Sequence, residues 1–212
     1  MLLAIDTAGA ELTLGLFDGD RPLAERREEA GRAMAERLVP AIRTLLAETG
    51  VEPSGLSAIA AVAGPGSFMG LRSGLAAARM MALGLGIEAV GVSRLRALAH
   101  GAGAVHVVLD ARRGEVFEQP FAADGRPVRE LRATAIGRFE PQGALLAGSG
   151  AALVRAAERA EGCRTLFDHD RLALAAVAAL ARYAPLAPRA IYGRGADAKP
   201  QRVAAIARSE GP

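Results

Sequence analysis

Along the first hundred residues the hydrophobic pattern changes period in an order that spells out strands and helices. Leu2 to Thr7 is a short apolar run with Asp6 near its end, and Glu11 to Asp18 alternates with a period of two. These are the marks of a buried and a half-buried strand. Asp18-Gly19-Asp20 supplies turn chemistry before a third strand around Leu23 to Glu28, so the chain opens on a β-meander. From Arg32 to Glu48 the residues Met34, Leu38, Ile42 and Leu45 recur at helical spacing, with Gly50 as a C-terminal stop and Pro40 expected to bend the helix. Leu56 to Ala63 then reads as a buried strand and Ser67 to Leu85 as a long apolar helix. Ala89 to Val92 is another strand, opening through Ser93 as N-cap into a helix that ends near His100.

The second half begins in the same way. Val108-Leu109-Asp110 matches Ala4-Ile5-Asp6, and Glu115 stands where Glu11 does, both at an offset of 104 residues. After one inserted residue, Pro127-Val128-Arg129-Glu130 matches Pro22-Leu23-Ala24-Glu25, which predicts a duplicated strand–strand–strand unit and two similar lobes. Ala144 to Ala147 reads as a strand, Gly148-Ser149-Gly150 as a turn, Ala151 to Glu161 and Leu172 to Tyr183 as helices. From Pro185 onward Pro, Gly and charge predict an extended tail. The boundaries expected are 1–102 for the first lobe and 103–212 for a reduced second lobe with its tail.

An apolar fraction of 51% in 212 residues is ample for a core. Of the 26 cationic residues only Lys199 is lysine, and a net charge of +3 with scattered arginines and six Phe, two Tyr and no Trp gives no contiguous aromatic-basic patch for nucleic acid. Cys163 stands alone, which excludes a disulfide framework or a thiolate zinc site and makes a reduced, cytoplasmic setting and a buried structural thiol the default. No secretory signal is visible, and the most apolar run, Met80 to Ile87, is too short to span a bilayer.

The densest chemistry lies in Ala63-Gly64-Pro65-Gly66-Ser67-Phe68-Met69-Gly70-Leu71-Arg72, between a strand and a helix. Free N–H groups at that helix start would suit an anion. The spacing Gly64-x-Gly66-x-x-x-Gly70 is one residue too long for the dinucleotide fingerprint, however, and no Lys-Ser/Thr follows to make a phosphate loop. Two readings stand: a tight turn with close helix packing, or a nucleotide contact. Asp6 and Asp110 are read alike, either as carboxylates that organise magnesium and phosphate or as Asx turns closing equivalent strands. Gly148-Ser149-Gly150 resembles an adenosine-contacting turn as much as any strand-to-helix loop. His100, His106 and His169 lack ligand spacing, and His169 between Asp168 and Asp170 reads as an acidic turn. Arg112 and Arg113 beside the Asp110 strand end suit an anion, an acidic partner or a solvated hairpin.

This order of elements with a duplicated acidic strand end resembles the actin-like, sugar-kinase and Hsp70 ATPase superfamily, an α/β fold related to ribonuclease H in which a βββαβα unit is duplicated. Within it Ala4-Ile5-Asp6-Thr7, Gly64 to Gly74, Leu109-Asp110-Ala111-Arg112-Arg113-Gly114-Glu115 and Asp197-Ala198-Lys199-Pro200 resemble the TsaB (YeaZ) family. Two positions depart from it: Met69 where relatives commonly carry Thr, and Met34 where a His often precedes Ala-Glu-Arg-Leu. The resemblance implies a non-catalytic scaffold in the formation of N6-threonylcarbamoyladenosine at position 37 of tRNAs reading codons that begin with A. Its partners would be a TsaD-like catalytic subunit, a TsaE-like ATPase and a second copy of itself, with tRNA met only indirectly and no membrane. ATP and magnesium would be used by the complex and no cofactor or metal held by this chain alone. On the catalytic relative's His-x-x-x-His metal segment this chain places Arg94 and Leu98, neither of which can ligate a metal.

Three function classes follow: the scaffold; a self-sufficient small ATP-dependent kinase or carbamoyl-type transferase using Asp6, Gly66 and Asp110; and a homodimeric nucleotide-sensing module. Candidate nucleotide contacts are Asp6, Gly64, Gly66, Ser67 and Asp110, with no catalytic residue assigned. The helix from Ser67 to Leu85 is apolar on two stripes, more than one sheet face covers. An interface is therefore expected from Leu38, Val39, Ile42, Leu46, Arg72, Ala76, Arg79, Met80 and Leu83, with Gly66, Gly70, Gly74 and Ala78 admitting another backbone.

Overall fold

The computed structural model describes residues 1–193; the Asp197-Ala198-Lys199-Pro200 motif lies outside them. The first half runs β1 (Leu2–Asp6), β2 (Glu11–Asp18), β3 (Arg21–Glu29), α1 (Met34–Thr49), β4 (Ala58–Gly64), α2 (Phe68–Leu85), β5 (Glu88–Ser93) and α3 (Arg94–Ala99). The second runs β6 (Val105–Arg112), β7 (Glu115–Phe121), β8 (Arg132–Ala135), β9 (Leu145–Ala147), α4 (Ala151–Ala156), β10 (Arg164–Phe167) and α5 (Leu174–Tyr183). Two five-stranded sheets result, ordered β3-β2-β1-β4-β5 and β8-β7-β6-β9-β10. In each, the first three strands are antiparallel neighbours and the last two add in parallel. The repeat read from residues 4–11 and 108–115 is thus a repeat of topology, strand for strand.

Both faces of the first sheet are buried, which is why β1 is apolar throughout. Leu3 and Ile5 pack outward with Leu38, Ile42 and Leu45 of α1 and Leu75, Ala78 and Ala82 of α2. Leu2 and Ala4 join a central core that also holds Val107, Leu109 and Phe117 of the second sheet, Leu95 and Leu98 of α3, and Leu174 and Val177 of α5. The two central helices are exchanged: α5 packs on β1, β2, β4 and β5, and α3 on β6 and β7 as well as on β4 and β5. Outside the second sheet a smaller core joins Val108, Val116 and Leu146 to Phe139, Val154 and Cys163. Cys163 is a buried thiol, as its isolation suggested.

Several elements fall where the pattern placed them. Ser67 and Ser93 cap α2 and α3 through the Gly70 and Arg96 amides. Gly50, at φ 65°, closes α1, with the Val51 amide returning to the Leu46 carbonyl at 3.0 Å. The helix α1 runs unbroken through the exposed Pro40. Among the described residues no helix is long and apolar enough to cross a membrane.

Two expectations are corrected. Pro127 to Glu130 is not the third strand of the repeat: Pro127 makes only an isolated bridge to Phe121, and β8 forms later, at Arg132. The cause is Glu118 on β7, fully buried, which draws in Arg129 (2.6 Å), Arg132 (2.7 Å) and Thr134 (2.8 Å). The helix after Gly150 stops at Ala156 rather than Glu161, because Glu158 adopts φ 56° and the Arg159 amide bonds back to the Val154 carbonyl. The strand β10 was not read at all. The segment after Pro185 is fastened to the first sheet through Leu186, which exchanges both backbone bonds with Gly91 (2.8 and 2.9 Å), and through Ile191, whose amide reaches the Ala63 carbonyl (2.7 Å).

Candidate functional site: the interlobe cleft and the outer face of α2

A cleft of about 1030 Å³ opens between the strand ends of the two sheets, lined by Ala8–Ala10, Pro65–Phe68, Arg72, Arg94, Leu109–Arg112, Phe117, Asp170 and Tyr192. Asp6 lines an adjoining hollow rather than this cleft; it is 5% exposed, with Oδ1 accepting the Ala8 amide at 2.8 Å. Burial raises the Asp6 pKa above the usual 3.8, partly offset by the charge of Arg94 and by the Ala8 bond. Asp110, at the equivalent strand end, accepts the Arg112 amide at 2.7 Å and pairs with the same residue's guanidinium at 3.1 Å. Both carboxylates therefore close Asx turns.

The glycine-rich block packs against the turn that follows β1. The Ser67 amide bonds the Ala8 carbonyl at 2.8 Å, and the Thr7 hydroxyl donates to the Gly70 carbonyl at 2.7 Å. A Cβ at Gly66 would collide with the Ala8 carbonyl oxygen, and one at Gly70 with that of Thr7. Gly66 and Gly70 thus admit a backbone, as their spacing suggested, but it is this chain's own Thr7-Ala8; Gly74 makes room for the Thr7 side chain. Gly64 takes φ 116° beneath the Ile191 carbonyl. Gly148-Ser149-Gly150 repeats the device, Ser149 accepting the Asp110 amide at 3.2 Å and Gly150 donating to Val108 at 2.9 Å.

These residues do not fit the magnesium nucleotide that such a cleft holds in ATPases. The Ser67 amide and one oxygen of Asp6 are engaged within the chain, Asp110 is paired with Arg112, and the fixed positive charge of Arg94 already acts on Asp6. Of the set Asp6, Gly64, Gly66, Ser67 and Asp110, the cleft takes Gly66, Ser67 and Asp110, while Asp6 lines the adjoining hollow and Gly64 lies under the Ile191 carbonyl. Leu98 lies in the core, and His100, His106 and His169 bond separately to Tyr183, to Glu118 and the Gln142 amide, and to the Arg171 amide. Among the described residues no group of three His, Cys, Asp or Glu could hold a metal.

The residues expected at an interface divide by face. Leu38, Ile42 and Leu46 are turned into the core at 5% exposure or less, so they present nothing to a partner. Val39 of α1 and Arg72, Ala76, Arg79, Met80 and Leu83 of α2 face outward, Met80 at 67% and Leu83 at 77% exposure. Met69 is exposed too, while Met34, the other departure, is buried at the start of α1. Sequence reasoning missed one part of the cleft mouth. Arg72 lies 3.9 Å over the Phe68 ring and bonds the Tyr192 hydroxyl, whose ring is 5.2 Å from Phe68. No local signal joins residues 120 apart.

Comparison with known proteins agrees with this architecture. A family model described as TsaD, tRNA N6-adenosine threonylcarbamoyltransferase, matches residues 27–160. The tRNA threonylcarbamoyladenosine biosynthesis protein TsaB of Escherichia coli is 35% identical over 129 residues, 58% of this chain and 55% of that protein. That of Bacillus subtilis is 36% identical over 120 residues, 55% of this chain and 52% of that protein. The chain thus spans about half the length of these curated relatives. YeaZ from Pseudomonas aeruginosa superposes with a TM-score of 0.74 at 28% identity, covering 90% of this chain and 98% of that one. Another Pseudomonas aeruginosa structure, an uncharacterized protein with similarity to peptidase YEAZ, reaches 0.76 at 29%, covering 91% and 99%. With the duplicated five-stranded sheets, the shared motifs and these matches in agreement, the chain belongs to the TsaB (YeaZ) family of the actin-like ATPase superfamily.

Proposed function

We propose that this chain is a non-catalytic scaffold subunit in the formation of N6-threonylcarbamoyladenosine at position 37 of tRNAs reading codons that begin with A, and that it docks a TsaD-like catalytic subunit. One observation carries the reading: Met69, Ala76, Met80 and Leu83 of α2, with Val39 of α1 at 51%, lie exposed after the sheet has taken everything it can cover. Apolar side chains gathered on one helix face mark an interaction surface. An interface of ordinary size buries roughly 1,600 Å² in total, with a few apolar anchors dominating. The engaged carboxylates and the Arg94/Leu98 pair support the absence of chemistry in this subunit. ATP and magnesium then belong to the complex, with a TsaE-like ATPase, and tRNA is met through the partner in the cytoplasm. A second copy of the chain fits the same face and would compete for it.

The test is Met80→Asp and Leu83→Glu, each burying an unpaired charge in the complex at a cost on the order of 4 kcal/mol, about a thousandfold in affinity. Wild type should co-elute with the TsaD-like partner and support tRNA modification in the reconstituted complex; the folded variants should do neither. Folded variants that bind and support modification like wild type would sink the docking face, and self-association with no binding to the partner would sink the scaffold.

A further inference from the structure

Arg94 is the most deeply buried arginine among the described residues, 5% exposed at the first position of α3. Its Nη2 donates to the Asp170 carbonyl at 3.1 Å and lies 3.3 Å from the Asp170 carboxylate. It also rests against the turn after β1, where a Cβ added at Gly9 would stand 2.9 Å from it. Asp6 and Gly9 belong to the first sheet's strand end, Asp170 to the segment between β10 and α5. One guanidinium thus joins the turn after β1 to the segment that enters α5. It lines the cleft of about 1030 Å³ and also a second hollow of about 520 Å³ on the other side of the Gly9-Ala10 turn, and Asp170 lines both. The pair with the turn is the partition between the two.

A buried arginine is costly without full pairing, and the Arg94 Nε has no hydrogen-bond partner. Packing alone therefore does not explain its place. The other groups facing the same hollow are paired nearer the surface: Arg171 to Glu11 at 2.8 Å, and Arg27 to the Leu172 carbonyl at 2.8 Å and to Glu25 at 2.5 Å. Glu29 and His169 complete its polar lining.

We propose that Arg94 is a built-in cation that locks the turn after β1 to the segment entering α5, standing between the Asp6 turn and Asp170 so that this side of the cleft keeps its form without an ion or nucleotide. The lock is a property of the isolated chain and does not rest on the scaffold reading, so the two can fail separately.

Amide hydrogen exchange on the full chain tests it. Arg94→Met keeps an apolar stem and removes the fork; exchange at Ala8–Ala10 and Asp168–Leu172 should quicken at least tenfold while α1 and α4 stay as in wild type, and trypsin should cut sooner after Arg171. Arg94→Lys, a point charge without the fork, should fall between. Asp6→Asn with Arg94→Met removes both charges, so it should melt above the single variant yet keep the fast exchange, which separates the lock from the stability of the pair. Asp170→Asn changes a side chain 45% exposed. It should quicken exchange at Ala8–Ala10 several-fold even if the Arg94 variants do not fold. Wild-type exchange at both segments in the folded variants would overturn the proposal.

Discussion

Asp6 and Asp110, 104 residues apart, make the same hydrogen bond: each Oδ1 accepts the backbone amide two residues on, Ala8 at 2.8 Å and Arg112 at 2.7 Å. The bond survives in both copies although their surroundings have diverged. Asp6 is sealed beneath the turn, whereas Asp110 keeps 24% side-chain exposure beside Arg112. The shared element is the turn, and it needs an acceptor, not a charge.

Asp6→Asn should accordingly keep the turn and raise the melting temperature at pH 7. The folded carboxyl has its pKa raised by burial above 3.8. The folded state therefore binds its proton more readily than the unfolded chain, and the charged form costs stability at neutral pH. That cost is fully present above the raised folded value and disappears as pH falls through it toward 3.8. The advantage of the variant should shrink over the same window; thermal melts from pH 7 to 4 read it, and a variant that melts lower at every pH contradicts it.

Two glycines of α2 should respond in opposite directions. Gly70→Ala drives a methyl into the Thr7 carbonyl, a backbone collision that should cost about 3 kcal/mol. Gly84, on the same helix with nothing within 4 Å of an added Cβ, should gain about 1 kcal/mol as alanine. Urea unfolding of both variants measures the contrast; a similar sign in both would mean that the packing against Thr7 is slack.

Glu118→Gln probes the polar cluster that covers the second sheet where the first has α1. Burial pushes the Glu118 pKa up, but the bonds from His106, Thr134, Arg132 and Arg129 outweigh it and hold the carboxyl far below its ordinary 4.5. Its contribution is full above 4.5 and is lost as pH falls from there toward the folded value. The variant should lose roughly 3 kcal/mol at pH 7, with Arg132 half exposed and so adding little. The loss should narrow below pH 4.5; a constant deficit from pH 7 to 3 would remove the charge from the account.

Glu158→Gly should stabilise by about 0.5–1 kcal/mol, because a left-handed helix end at φ 56° suits glycine and penalises a Cβ. Denaturant midpoints decide it, a lower midpoint being the contrary result.

These cases show what local pattern carries and what it does not. The cap Ser93 and the stop at Gly50 use residues whose chemistry is specific to those positions, so they read from the chain directly. The end of α4 uses Glu158 in the same conformation, and nothing about a glutamate announces it. The delay of β8 comes from Glu118, whose effect is exerted through residues 11 to 16 positions further on. At the site, Asp6, Gly66 and Asp110 were legible as special, but whether a glycine faces a phosphate or its own chain's Thr7 is a question of three-dimensional approach. The apolar stripes of α1 and α2 were legible as two; which stripe the sheet takes, Leu38 or Val39, is fixed only once the register of the layers is known.

The exchange of α3 and α5 bears on how the chain is made. When the first hundred residues have left the ribosome, the inner face of the first sheet, with Ala4, Val62 and Val90, still awaits a helix that lies at residues 174–183. The segment Leu186 to Ile191, which pairs with Gly91 and Ala63, comes later still. Closure of the first lobe is thus a long-range event that waits for residues 174–191, and slow, high-contact-order assembly is the corollary. A chain stopped between the halves would carry an open apolar sheet face, a target for chaperones or for another unfinished copy of itself.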